Sequence, residues 1–238
     1  MTRYLQSRML LEAGFRHAFF TRAMPFGDEK SYAAAADALG VDPSRLYVVT
    51  QVHGRDVVRV AGDEARDLVF ERRADAIVTR ARGVACGVKT ADCVPVLVGD
   101  EASGAVAAIH SGWQGTEKDV VGAGIEALIE HVGGEADLVA AIGPHIRVCC
   151  FEVGEDVAER LARCSPAQGV VDRTRSSRPH VDLTRIVKAQ LVAAGVRADA
   201  IDDVPGCTEH DAHLFFSYRR ERENAGRMLA AIAGRGRA

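Results

Sequence analysis

No apolar run in this sequence approaches the roughly 20 residues that a membrane-spanning helix needs. Met1 to Phe20 carries a charged or polar residue every few positions, unlike an export signal. An excess of either charge is also missing. A net charge of −3 and a pI near 6.2 give no electrostatic reason to expect nucleic acid or an anionic membrane surface as a partner. Internal repeats and linkers are absent, so one domain over residues 1–238 is the economical reading. Compact metal motifs of the CxxC or HExxH kind are lacking as well.

The six cysteines are Cys86, Cys93, Cys149, Cys150, Cys164 and Cys207. An even number suits a disulfide scaffold in a short secreted chain, but this chain has ordinary enzyme length and no export signal. Reduced thiols and a cytoplasmic location are therefore expected.

Short β-like runs fill the first half: His17–Thr21, Leu46–Val52, Asp56–Val60, Ala76–Thr79, Val84–Val88, Val94–Val98 and Ala105–His110. The alanine-rich Ser31–Leu39 reads as a helix ended by Gly40. Beyond the glycine turn Ser111–Gly115, a helix is expected from Thr116 to about Val132, with Thr116 and Asp119 as a capping box. Later expectations are a strand at Leu138–Ile142 and helices at about Gly154–Arg163 and Thr184–Ala194. A short strand at His180–Leu183 leads into the second of these helices. Further strands are expected at Ile201–Val204 and Leu214–Tyr218. Asp172–Pro179 reads as a surface loop. The fold class is α/β (α+β), one domain of mixed sheets flanked by helices.

Three residues at strand ends, beside small or turn residues, are placed to converge: His53, Cys93 and His110. Two imidazoles and a thiolate match a catalytic zinc, whose open fourth position acidifies water toward about pH 7. The ligands lie 40 and 17 positions apart, so spacing alone is a weak signal. A cysteine beside Val-Pro-Val is also at home as a small core hydrophobe.

Four longer motifs occur in one order: Gln51-Val52-His53-Gly54, Thr90-Ala91-Asp92-Cys93-Val94-Pro95, His110-Ser111-Gly112-Trp113-Gln114-Gly115-Thr116 and Phe216-Ser217-Tyr218-Arg219-Arg220. With Ala74-Asp75-Ala76, Ile142-Gly143-Pro144, Phe151-Glu152-Val153-Gly154, Cys207-Thr208 and Gly226-Arg227-Met228, they cover the chain from Phe15 to about Ile232. In these motifs the chain resembles the bacterial YfiH-type family, long labelled polyphenol oxidoreductase laccase and reassigned as purine nucleoside phosphorylase. The resemblance implies zinc on His53, Cys93 and His110. It also implies phosphorolysis of adenosine, inosine, guanosine and methylthioadenosine, together with deamination of adenosine. The partners expected are a purine nucleoside and phosphate, and the assembly a monomer or homodimer.

The chain departs from the family pattern at three places. The loop after Arg22 runs straight through Ala23-Met24-Pro25-Phe26-Gly27 and is shortened. Gln114 stands where Arg or Lys is usual, and His145-Ile146-Arg147 replaces smaller residues.

Asp92 is the candidate catalytic residue, placed to hold a histidine's second nitrogen or move a proton, or else to cap a turn. Arg22, Gln51, Gln114, Phe216 and Arg219 are the candidate substrate contacts; a guanidinium fork suits phosphate and an aromatic face suits a purine. Of Arg219 and Arg220, only one faces the site. The turn at Gly112–Thr116 offers a helix N-terminus to an anion. His210 and His213 are expected in solvent or behind the ligands, and Cys149-Cys150 as packing.

Three rival functions follow from the same residues. Copper suits a His₂Cys site, but a multicopper polyphenol oxidase needs His-x-His pairs, and none of the eight histidines forms one. Cys93 with His110 also fits a cysteine hydrolase or deamidase, which would survive chelation and be blocked by alkylation. The third is a binding protein that keeps the fold without activity.

Overall fold

The computed structural model describes residues 2–235. The first third of the chain comprises β1 (Tyr4–Leu5), α1 (Arg8–Glu12), β2 (His17–Phe20), α2 (Glu29–Leu39), β3 (Leu46–Tyr47), β4 (Val57–Arg59), α3 (Arg66–Phe70) and β5 (Ala76–Thr79). The middle holds β6 (Ala85–Thr90), β7 (Val94–Asp100), β8 (Val106–Ser111), α4 (Trp113–Glu117), α5 (Val120–Val132), β9 (Leu138–Ile142) and α6 (Glu155–Cys164). Last come β10 (Val171–Asp172), β11 (His180–Val181), α7 (Leu183–Ala193), β12 (Ile201–Asp203), α8 (Tyr218–Glu221) and β13 (Met228–Ala233).

Two mixed sheets form the frame, a six-stranded one ordered β12-β9-β7-β8-β5-β4 and a five-stranded one ordered β1-β2-β13-β6-β3. Alternation along the strands builds four layers. Val94, Val96 and Val98 of β7, with Ala107 and Ile109 of β8, pack toward Val121, Ile125 and Leu128 of α5 and Ile186 and Leu191 of α7. The intervening Leu97 and Ala108 point the other way, onto Val88 of β6 and Ala230 and Ile232 of β13. The far face of that second sheet, including Leu229 and Ala231, is covered by Ala35, Ala36 and Leu39 of α2. Strands buried on both faces explain the near-continuous apolar runs, and the expected class of mixed sheets flanked by helices is what the chain forms.

Local chemistry sets several boundaries. α2 opens on the Asp28 carboxylate, which accepts from the Ser31 amide at 2.9 Å, and closes on Gly40 at φ +61°. The helix expected from Thr116 breaks in two instead. Thr116 is buried and donates to the Gly112 carbonyl at 3.0 Å, so it caps nothing. Asp119, at φ +57°, is itself the cap of α5, accepting from the Gly122 amide at 3.1 Å.

Two expected strands are also revised. Only Leu46–Tyr47 of the first run enters a sheet, because the amides of Val52, His53 and Gly54 turn toward a carboxylate. Leu214–Tyr218 forms no strand, since Ser217 caps α8 by accepting from the Arg220 amide at 3.2 Å. Among the described residues no helix is long and apolar enough to cross a membrane, and all six cysteines are free thiols.

Candidate metal centre

Strand register brings the candidate ligands together. β7 and β8 are antiparallel with Val94 opposite Ser111 and Pro95 opposite His110, so the residue entering β7, Cys93, lies beside the end of β8. β5 pairs with the other edge of β8, Ala76 opposite Ile109, which puts Asp75 next to His110. The third candidate ligand, His53, arrives on the loop between β3 and β4. One donor atom from each of His53, Cys93 and His110 lies within 4.8 Å of the others, and Cys93 Sγ is 3.9 Å from His53 Nε2. His53 is exposed, Cys93 half-buried and His110 buried.

Asp75 organises this cluster and was not singled out in the sequence. Its side chain is fully buried and meets four donors. Oδ1 accepts from the His53 amide at 3.0 Å and pairs with His110 Nδ1 at 2.8 Å. Oδ2 accepts from the amides of Val52 at 3.1 Å and Gly54 at 2.6 Å. A single carboxylate thus fixes the backbone carrying one histidine ligand and the ring of the other, leaving His110 Nε2 for the metal. Burial works against ionisation of Asp75, but the bond to His110 and the amides outweigh it and hold the carboxyl below its usual range. The available signal was an aspartate heading the wholly apolar run Ala76-Ile77-Val78.

The arrangement fits a metal. Burial raises the Cys93 pKa, yet the charges and hydrogen bonds of His110 and His53 bring it down to about 6. Burial likewise lowers that of His110, and the Cys93 thiolate with Asp75 lifts it to about 9. Gly112 is required in this setting. A Cβ there would stand 2.8 Å from His53 Cδ2 and 2.9 Å from Cys93 Sγ, inside the cradle the three ligands share. His53 at φ +56° and Asp92 at φ +91° both occupy the left-handed region, costing about 1–3 kcal/mol each where the surroundings enforce it.

Asp92 is not the partner of a histidine. Oδ1 accepts from Thr208 Oγ1 at 2.6 Å, while Oδ2 accepts from the Arg219 amide at 2.6 Å and from Ser217 Oγ at 3.1 Å. It ties the chain just before Cys93 to the segment that carries Arg219.

A cleft of about 690 Å³ opens over the cluster. It is lined by Gln51, Asp92, Gln114 and Arg219 among the expected residues, and by Phe70, Trp113, Phe151 and Tyr218, whose rings supply its apolar walls. Gln51 is locked in a two-way bond with the Lys89 backbone, at 2.8 and 2.7 Å. Arg219 donates to the carbonyls of Cys150 at 3.3 Å and Glu152 at 2.9 Å. Arg220 turns inward to the carbonyls of Thr208, Glu209 and Phe215, so only one arginine of the pair faces the cleft. Arg22 and Phe216 do not line it. They stack on each other, guanidinium 4.8 Å from the ring centroid, and Arg22 is held by Glu221 and the Ala212 carbonyl. Sequence reasoning missed Lys89, Arg222 and Arg227, which also border the cleft and supply the positive charge that Gln114 lacks.

Residues 28–235 match the family described as multi-copper polyphenol oxidoreductase laccase. The chain belongs to this family. Within it, the chain is 41% identical over 198 residues to a purine nucleoside phosphorylase of Streptomyces coelicolor, covering 83% of this chain and 78% of that one. It is 36% identical to a protein named adenosine deaminase RL5 from an unknown prokaryote, over 82% and 77% of the two chains. The crystal structure of YlmD from Geobacillus stearothermophilus superposes with a TM-score of 0.87 at 26% identity, over 99% of this chain and 100% of that one. Family membership and fold therefore stand on sequence and structure together.

Proposed function

We propose that the chain is a zinc-dependent purine nucleoside phosphorylase acting on adenosine, inosine, guanosine or methylthioadenosine. The observation that carries this reading is the content of one cleft. A His₂Cys cluster, four aromatic rings and four cations (Lys89, Arg219, Arg222 and Arg227) share it. His53, Cys93 and His110 would hold the zinc, which supplies Lewis-acid polarisation when bound.

This chain's own residues account for binding and orientation. The rings of Phe70, Trp113, Phe151 and Tyr218 give a purine apolar faces. The guanidinium and ammonium groups attract phosphate into a cleft of a chain whose net charge is −3. Asp92 keeps Arg219 in place through its backbone amide, and Arg219 spans two carbonyls on the opposite wall. In phosphorolysis, phosphate attacks the anomeric carbon, the glycosidic bond breaks, and its electrons leave with the base. Free thiols suit a reducing, cytoplasmic setting.

One assay tests the proposal: purified protein with adenosine and inosine, with and without phosphate, following free base and ammonia. Phosphate-dependent base release that is lost in Cys93→Ala is the expected result. Base release independent of phosphate, or persisting in that variant, overturns it. Ammonia release from adenosine adds the deaminase activity carried by one relative's name.

One observation favours a second reading. Cys93 with a lowered pKa, His110 with a raised one and Asp75 behind the imidazole have the composition of a thiol triad. His53 as a third converging donor has no part in such a triad, and activity retained after chelation is the outcome that would select it.

A further inference from the structure

A second cluster of soft ligands lies outside this site. Cys149 and Cys150 sit in the turn after β9, and Cys207 and His210 in the turn after β12. One ligand atom from each falls within 4.8 Å of the other three. Cys149 Sγ is 3.7 Å from Cys207 Sγ and 3.6 Å from His210 Nδ1. Sulfur and nitrogen at about 2.3 and 2.0 Å from a tetrahedral zinc stand about 3.8 Å (S to S) and 3.5 Å (S to N) apart. The two separations at Cys149 match those edges, and the remaining ones stay within 4.8 Å. Cys149 and Cys207 are free thiols here, their sulfurs 3.7 Å apart rather than bonded. The backbone N–H of Arg147 reaches Cys207 Sγ at 3.5 Å, the kind of donor that steadies a ligating thiolate.

The geometry points to a second, structural zinc site formed by Cys149, Cys150, Cys207 and His210. Three thiolates and an imidazole select a soft ion, and four protein ligands close the coordination shell, unlike the three-ligand cluster in the cleft. His210 is exposed and Cys207 buried, so the ion enters from the rim and anchors inward.

The location gives the ion something to hold. These two turns share little regular structure: an isolated bridge between His145 and Cys207, and the Thr208 amide on the His145 carbonyl at 3.1 Å. Yet they carry groups that shape the cleft. The Cys150 carbonyl accepts from Arg219, and Thr208, next to Cys207, donates to Asp92 beside Cys93. A zinc crosslink there would fix the wall bearing Arg219 without entering the cleft. The inference does not depend on which reaction the cleft performs.

The test is metal stoichiometry on the full chain, reduced, loaded with zinc or cobalt and freed of excess by gel filtration. Wild type should hold two ions per chain. Cys207→Ser and His210→Ala should each lose one, and Cys93→Ser should keep one whose cobalt form shows strong thiolate-to-metal charge transfer. Should Cys207→Ser fail to fold, alkylation of wild type decides. Cys149, Cys150 and Cys207 should be protected when loaded and modified once a chelator is added. A single ion per chain in wild type that Cys93→Ser abolishes, metal content unchanged by His210→Ala, equal alkylation with and without metal, or a disulfide joining any of these cysteines each overturns the site. A single ion that survives Cys93→Ser but not Cys207→Ser leaves the site standing and empties the cleft instead.

Discussion

Replacing Asp75 by Asn tests the centre at its least replaceable point. The carboxylate serves two donors on each oxygen: His110 Nδ1 and the His53 amide on one, the amides of Val52 and Gly54 on the other. Asparagine is nearly isosteric but offers one acceptor, so either orientation leaves two N–H groups, part-buried for the amides and buried for His110, facing an NH₂. If Oδ1 is kept for His110, the loss falls on Val52 and Gly54, whose amides set the course of the His53 loop. At about 1–3 kcal/mol for each buried donor left without a partner, the cost is about 3 kcal/mol, or roughly 6–12 °C in Tm for a domain of this size. Loss of a carboxylate behind a ligating imidazole weakens metal binding by roughly ten- to a hundredfold. Competition with a chromophoric chelator reads the affinity, and thermal unfolding with and without EDTA separates the two effects. An Asp75→Asn protein that binds zinc within about threefold of wild type and unfolds at the same temperature would falsify the role given to this residue.

Other outcomes follow from the same geometry. Gly112→Ala places a methyl less than 3 Å from two ligands, so it should cut metal affinity by about tenfold or more while far-UV dichroism stays unchanged. Arg219→Gln should raise KM for phosphate by roughly ten- to a hundredfold with little change in KM for the nucleoside, read by initial rates. His145 contributes to acid destabilisation. It is fully buried, and burial with the charge of Arg147 lowers its pKa from 6.5 to about 3. The unfolded chain therefore takes up a proton below pH 6.5 that the folded one refuses until about pH 3. Stability must fall as pH drops through that window, by up to about 1.4 kcal/mol per unit. His145→Asn should flatten that slope in urea titrations between pH 4 and 6, and an unchanged slope rules the histidine out.

How much of this was readable in the sequence depended on whether the deciding contact was local. α2 was legible because Gly40 and the alanine run act within one helix, and β9 because Leu138–Ile142 is an unbroken apolar run. The convergence of His53, Cys93 and His110 was legible from their strand-end positions, reinforced by long motifs. Asp75 was not, because its work depends on Ala76 lying opposite Ile109 and on a loop 21 to 23 residues away folding onto it. Leu214–Tyr218 has strand composition, but Asp92, more than a hundred residues earlier, takes the Arg219 amide and turns the chain. His210 and His213 were expected in solvent or behind the cleft residues; His210 is exposed, but its ring meets Cys149, sixty-one positions back, which no local pattern announces.

The buried carboxylate behind His110 also sets an electrical condition on whatever ion occupies the cleft. Cys93 as thiolate and Asp75 each bring one negative charge, and the two histidines bring none when they ligate. A divalent ion makes that assembly neutral, so the interior carries no net charge and avoids the cost of several kcal/mol that an unbalanced buried ion incurs. A monovalent ion would leave one negative charge on the cluster itself, beside the apolar strand Ala76–Thr79. Asp75, which would not touch the ion, thus tilts the charge balance of the cluster toward a divalent one.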